Sequence, residues 1–522
     1  MSSKRSHVAV GTAALALVAG CTGYVGMGSA PPTEQGGAEP VSRTAGYETA
    51  PCPMPNVPGI PQLDLGADFT CGYLTVPEDR SRPDENTIRI AVARVGATSS
   101  TPRPDPIVWL AGGPGGSAIA TANISVAQGI NSDREVIFVD QRGTLHAQPA
   151  LVCPEIDAFQ QEALGLLTTD PATREESRTA TEACQERLAG KFSLASFDTT
   201  ENAADIADLR VALDIEEWNV RGVSYGSDLA LQLLRDHPEG IRSVVLDSLV
   251  PPQLNLMESL WPNAAEGYEA LFGACAAQPE CASAHPDLRN EFFSTVRRLD
   301  DRPMTLDVPH PADGSNVRVV LDGYRFATLL NVMALDPGSL TAAPAIVSAT
   351  AAGDGQAAAM ALLQTVSPPG LNGYGLMFGV VCREEAAYTD PDRVHAEARR
   401  TLPGFPDAVL RALPQATHVF DDCAVWDVGQ ADAIVEEPAR SDVPVLLLNG
   451  TLDGVTPPSW AEAATEGLTN SQLVLVPGAG HDVIRWSDCA LRVMTDFLES
   501  PDAELQTGCI AEMTVPPFEP AR

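Results

Sequence analysis

The 522-residue chain has few cations: 33 Lys and Arg against 69 Asp and Glu, a formal charge of −36. That balance argues against a nucleic-acid partner, because phosphate recognition needs a cationic footprint. Aromatic residues are only 5%, so no aromatic-rich substrate platform stands out. No C-x-x-C pair occurs and the eight His are scattered, which argues against a metal site. No internal repeat is visible. The apolar run at the N-terminus, Val8 to Ala19, is about a dozen residues, too short to span a bilayer comfortably. What remains is ordinary globular composition with 44% hydrophobic residues. It suits two domains, or one with a large insertion, and not a disordered acidic chain.

Residues 1–20 read as an export signal. Lys4 and Arg5 precede the apolar run, which ends in Leu17-Val18-Ala19-Gly20-Cys21. That ending resembles the bacterial lipobox, which implies cleavage before a diacylated Cys21. Residues 21–50, rich in Gly, Pro, Ser and Thr, read as a flexible tether. The expected location is the cell envelope, lipid-anchored to the outer face of the cell membrane. Eleven Cys are present; with Cys21 set aside for lipid, ten remain, enough for five disulfides in an oxidising compartment. Spacing leaves the connectivity open. Pairing nearest neighbours gives one coherent set: Cys52–Cys71, Cys153–Cys184, Cys275–Cys281, Cys382–Cys423 and Cys489–Cys509.

Leu74–Val76 and Ile88–Ala93 alternate like two strands around a polar turn. Short apolar runs fit for buried strands follow: Ile107–Leu110, Val136–Val139, Trp218–Val220, Ser243–Leu246, Val443–Leu448 and Leu473–Val476. Helical spacing separates some of them, as in Ala203, Ile206, Leu209 and Leu213. Strand–helix alternation predicts a mostly parallel sheet with helices on both faces. The pattern stops near Pro251-Pro252 and resumes near Val443. The expected organisation is a sheet domain over 51–251 and 427–522, with a mostly helical cap inserted at 252–426.

Gly222-Val223-Ser224-Tyr225-Gly226 lies between a predicted strand and the helical pattern of Leu229, Leu233 and Leu234. G-x-S-x-G is a weak signal alone. On a strand–turn–helix it is the nucleophile elbow of the α/β-hydrolase fold, which presents a Ser Oγ at a helix N-terminus. Ser224 is therefore the candidate nucleophile. A serine hydroxyl needs a base, and in this fold the acid and then the base follow in the chain. Asp453 follows a buried strand as the candidate acid, and His481 follows the last strand as general base. Asp247, at the end of an earlier strand, is the rival acid, or else shapes the cap entrance. The remaining His residues read as structural or solvated. Oxyanion donors are expected from the backbone N–H groups of Tyr225 and of Gly113, in the loop Ala111-Gly112-Gly113-Pro114-Gly115-Gly116. No Lys-Ser/Thr follows those glycines, so they do not form a P-loop.

The G-G-P-G loop, Asp140-Gln141-Arg142-Gly143-Thr144 and G-x-S-Y-G together resemble the proline iminopeptidase and tripeptidyl aminopeptidase family of α/β-hydrolases, the S33-type serine peptidases. Cys71-Gly72-Tyr73-Leu74-Thr75-Val76-Pro77, the Cys382 and Cys423 pair before Trp426, and Gly450-Thr451-Leu452-Asp453-Gly454-Val455-Thr456-Pro457 resemble its secreted tripeptidyl-aminopeptidase group. The likeness covers most of residues 50–520. With the lipobox, it extends to mycobacterial cell-envelope serine hydrolases that have protease and esterase activity. Two departures stand out. Ala111 occupies the family's usual His position, which leaves the backbone donor intact, and Leu145 follows Thr144 where a Gly is common. Arg142 then belongs in a local ion pair. Thr456 is placed to hydrogen-bond the acid or its loop. The resemblance also implies a cap-side carboxylate that holds the substrate α-ammonium, for which Glu384 and Glu385 are the candidates.

The implied activity is tripeptidyl-aminopeptidase-like cleavage of peptides or proteins through an acyl-enzyme, with no cofactor. The same chemistry serves a carboxylesterase or lipase acting on envelope esters, and fold alone does not separate the two. A non-catalytic binding protein on the same fold is a third class.

Overall fold

The computed structural model describes residues 45–54, 57, 63–311 and 314–519. The expected signal, Cys21 and most of the tether lie outside the described residues. Nine strands form one sheet: β1 (Gly46–Ala50), β2 (Phe69–Pro77), β3 (Thr87–Val95), β4 (Ile107–Leu110), β5 (Val136–Asp140), β6 (Trp218–Val223), β7 (Ile241–Asp247), β10 (Val445–Gly450) and β11 (Ser471–Val476). Their order is β1-β2-β3-β5-β4-β6-β7-β10-β11. The first three strands and the β3–β5 pair are antiparallel. From β5 onward every pairing is parallel.

Each expected apolar run is a strand. Every residue of β4, β5 and β10 is buried, because helices cover both faces. Alternation sends Val108, Val220, Leu246 and Leu447 to one hydrophobic cluster, and Trp109, Phe138, Val245 and Leu446 to the other. A side chain of this kind contributes about 1.5–3 kcal/mol when fully buried. One boundary needs correction. Residues 46–50, read as the end of the tether, form β1 and pair in register with Cys71 to Thr75. Tyr47 and Thr49, between Gly and Ala, offer enough β-forming surface once a neighbouring strand is available.

Between β7 and β10 the chain is mostly helical, with Leu256–Ala277, Leu288–Asp301 and Gly323–Met333 among its helices. It also holds a hairpin, β8 (Met304–Pro309) with β9 (Asn316–Leu321), which was not anticipated. Its core gathers Trp261, Tyr268, Phe292, Phe326 and Phe405, with the Tyr268 and Phe292 rings 4.8 Å apart. The division between cap and sheet is not clean along the chain. Tyr374, Leu376, Phe378, Cys382 and Trp426 pack with the sheet cluster, while Leu164 and Phe518 pack with the cap core. All five nearest-neighbour disulfides are formed.

Candidate active site

Strand β6 runs into Ser224, and the helix Tyr225–Asp236 begins at the next residue. Ser224 has φ 55° and ψ −130°, a backbone conformation that costs about 1–3 kcal/mol. Tertiary contacts hold it there: the Ser224 N–H donates to the Asp247 carbonyl (3.0 Å), and Ser227 Oγ donates to the Ser224 carbonyl. The glycines provide space. A Cβ on Gly222 would lie 2.0 Å from the Gly226 carbonyl oxygen, and one on Gly226 would lie 2.2 Å from that of Leu110. Gly112 passes so near that its added Cβ would sit 2.6 Å from the Ser224 Cβ. The N–H groups of Gly113 and Tyr225 have no acceptor among the described residues. Both residues line the same cavity as Ser224.

β10 and β11 are parallel neighbours, so the loops after them leave the same edge of the sheet. Asp453 and His481 meet there. His481 Nδ1 lies 2.8 Å from Asp453 Oδ2. Asp453 Oδ1 accepts from the N–H groups of Val455 (2.8 Å) and Thr456 (2.9 Å). Thr456 Oγ1 donates to Asp453 Oδ2 (2.8 Å) and stands 3.1 Å from His481 Nδ1. Burial opposes charge on Asp453, but His481 and the Thr456 hydrogen bonds outweigh it, and the carboxyl is held below its ordinary value. Burial also opposes the imidazolium of His481. The Asp453 carboxylate, aided by Asp482 and Asp247, overcomes that and raises the His481 pKa. Ser224 Oγ forms no hydrogen bond among the described residues. The structure thus joins Asp453, Thr456 and His481 directly, and leaves Ser224 without a hydrogen bond to His481. Such bonds are often long in a free enzyme and tighten with substrate.

Asp247 does not shape the cap entrance. It is buried beneath the His481 loop, accepting from the Val483 N–H (2.8 Å) and bonding Arg221 Nη2 (2.8 Å). Arg221 Nη2 is also 2.7 Å from Asp482 Oδ1, next to His481. Arg221 precedes Ser224 by three residues and stacks 3.7 Å over Trp109. A charged network thereby binds the loop of His481 to the strand that leads into Ser224. Arg142 forms the local pair expected of it: Nε and Nη2 grip both Asp205 oxygens at 2.9 and 2.8 Å.

A cavity of about 430 Å³ opens beside Ser224, Gly113, Tyr225 and Thr456 and extends under the cap. The two candidate glutamates part company here. Both lie on the short π-helical turn Val381–Glu385, where a local change of pitch points successive side chains differently. Glu384 does not line the cavity; its carboxylate accepts from the Thr199 N–H (2.7 Å) and Oγ1 (2.6 Å). Glu385 does line it, with Oε2 accepting from the Leu256 N–H (2.7 Å), and burial pushes its pKa up to about 8. The sequence reading missed Asp228, Asp422 and His418, which also line the cavity. Asp228 is a charged residue in a helix whose first ten residues are all buried, which only the structure reveals. Burial raises Asp228 to about 7 and Asp422 to about 6, and lowers His418 to about 4.

Comparison with known proteins places the chain among its relatives. Residues 105–307 match the alpha/beta hydrolase fold family and residues 412–509 match the TAP-like protein family. The tripeptidyl aminopeptidase of Streptomyces coelicolor is 26% identical, over 81% of this chain and 80% of its own. The serine protease Hip1 of Mycobacterium tuberculosis is 26% identical, over 93% and 94%. A solved structure, the proline iminopeptidase of Mycobacterium smegmatis, is 16% identical, over 82% of this chain and 98% of its own, with a TM-score of 0.38. The fold and the elbow define an α/β-hydrolase enzyme. Fold and family matches make the chain a serine hydrolase of the α/β-hydrolase type, similar over most of its length to the tripeptidyl aminopeptidases.

Proposed function

We propose that the chain is a cell-envelope serine peptidase, anchored by lipid at Cys21, that cleaves peptides through a Ser224–His481–Asp453 triad. The observation that carries this reading is a carboxylate, Glu385, in the same cavity as Ser224 and the free N–H groups of Gly113 and Tyr225. His481 takes the Ser224 proton as Oγ attacks the peptide carbonyl. Gly113 and Tyr225 donate to the oxyanion. His481 then protonates the leaving amine as the C–N bond breaks, and water releases the acyl group by the reverse use of the same base. Glu385 holds the substrate α-ammonium, and Thr456 positions the acid and the base.

The second reading is a carboxylesterase or lipase, favoured by the Met257, Leu260, Met377, Phe378 and Val380 walls of the cavity. Matched substrates decide: a free-amine tripeptide anilide, its N-acetyl form and a short-chain acyl ester, with Ser224→Ala as control. Selective turnover of the free-amine peptide supports the aminopeptidase. Equal turnover of ester and blocked peptide overturns it. Labelling cells with a fatty-acid probe, with and without Cys21→Ala, tests the anchor; label that survives the substitution removes Cys21 from the scheme.

A further inference from the structure

We propose that Asp228 selects a cationic side chain, Lys or Arg, at the substrate residue whose carbonyl Ser224 attacks. The proposal rests on the serine-peptidase reading and names the substrate that it prefers. Asp228 follows the nucleophile by four residues on one helix, a rise of about 6 Å. It lines the same cavity and is 6% exposed. Its one hydrogen-bonding partner among the described residues is the Gln232 amide, at 3.3 and 3.4 Å. A buried carboxylate without a close cation is costly, and within the chain Arg235 reaches Asp228 only as a longer-range attraction. Among the described residues no Lys or Arg makes an ion pair with Asp228. The nearby Arg235 is engaged by Asp236 at 2.7 Å. Arg325, on the cavity wall, gives its N–H groups to the carbonyls of Ala163, Leu164, Leu166 and Val320.

Reach identifies which substrate cation fits. The N-terminal nitrogen of an extended tripeptidyl unit lies about 10 Å from the scissile carbonyl, at ~3.3–3.6 Å per residue. That is too far for a carboxylate one helical turn from Ser224. The side chain of the residue under attack starts beside Ser224, and a Lys carries its ammonium on a four-carbon stem. Val250, Met257 and Leu260 offer apolar wall to that stem. The α-ammonium is left to Glu385, and Asp228 takes the side chain.

The test compares tripeptide anilides ending in Lys or norleucine, which has the same stem without the ammonium. A matched pair of N-acyl Lys and norleucine thioesters accompanies them. In the wild type, kcat/KM favours Lys by about tenfold or more, the equivalent of ~1.4 kcal/mol. In Asp228→Asn the Lys-to-norleucine ratio falls to near one, with phosphonate labelling of Ser224 confirming a folded site. A wild-type ratio of one, or a preference that survives in Asp228→Asn, overturns the proposal. If both anilides are inert and both thioesters react, the peptidase reading fails, and the thioester ratio alone decides on Asp228. A measurement on unmodified protein covers a variant that does not fold: n-butylamine should protect Ser224 from the phosphonate where 1-butanol does not. Equal protection by the two overturns the proposal.

Discussion

Thr456 touches both the acid and the base, so its hydroxyl sets the angle between them. Thr456→Val keeps the shape and removes that donor. The expected result is a fall in kcat of about tenfold, consistent with losing one buried hydrogen bond to a charged group; Thr456→Ser should recover most of it. The raised pKa of His481 has a definite sign in kinetics. Neutral imidazole is the active base, so kcat/KM rises with pH through an ionisation above the ordinary histidine value and is lost on acidification. In Asp453→Asn that ionisation moves down and the rate falls by roughly 10⁴-fold. A pH–rate profile of each protein checks both. Asp228 carries the opposite stability sign from a salt-bridged carboxylate. Its folded pKa, about 7, lies above the unfolded value. Its protonated form therefore favours the fold below the ordinary carboxyl range, and that contribution is lost as pH rises towards 7. Asp228→Asn should raise Tm, with a gain that grows from pH 4 to 7 and then levels off. A flat difference across that range would contradict the burial account.

At the scale of elements, the site depends on contacts between segments far apart in the chain. The Arg221–Asp247–Asp482 network ties β6 and β7 to the loop after β11. Arg221→Met leaves the buried Asp247 carboxylate and the half-buried Asp482 without their cation, a change of roughly 3–5 kcal/mol. Its expected signature is a lowered Tm and a kcat loss at little-changed KM, because base placement suffers while the cavity remains. The disulfide Cys382–Cys423 joins the turn that carries Glu385 to the helix Val419–Trp426, which carries Asp422. The double variant Cys382→Ala/Cys423→Ala should lose about 2–4 kcal/mol by urea unfolding. It should also raise KM for free-amine peptides, since two walls of the cavity are no longer tied.

Across the whole molecule, much of the architecture was legible because short apolar runs have few alternatives: buried on both faces, they become central strands. The elbow was legible because Gly222 and Gly226 must make room for backbone atoms 2.0–2.2 Å from any Cβ. Asp453 and His481 were legible as residues just after the last two strands of a parallel sheet. Strand β1 was not, because a short edge strand needs a partner to form; nor was the hairpin β8–β9, although Met304, Leu306 and Val308 alternate with polar residues, because it lies inside a stretch of helical pattern. Local spacing also could not separate Glu384 from Glu385, adjacent in sequence; a π-helical turn and Thr199, 185 residues earlier, did so. Nor did the sequence show that Asp247 braces the histidine loop or that Asp228 faces the cavity. Sequence by itself determined the parallel sheet, the elbow that carries Ser224 and the positions of Asp453 and His481 after the last two strands, since these follow from local patterns of burial and turn geometry. Tertiary structure alone decided which buried charges find partners within the protein and which is left facing the cavity without a cation, because that depends on side chains brought together from distant parts of the chain.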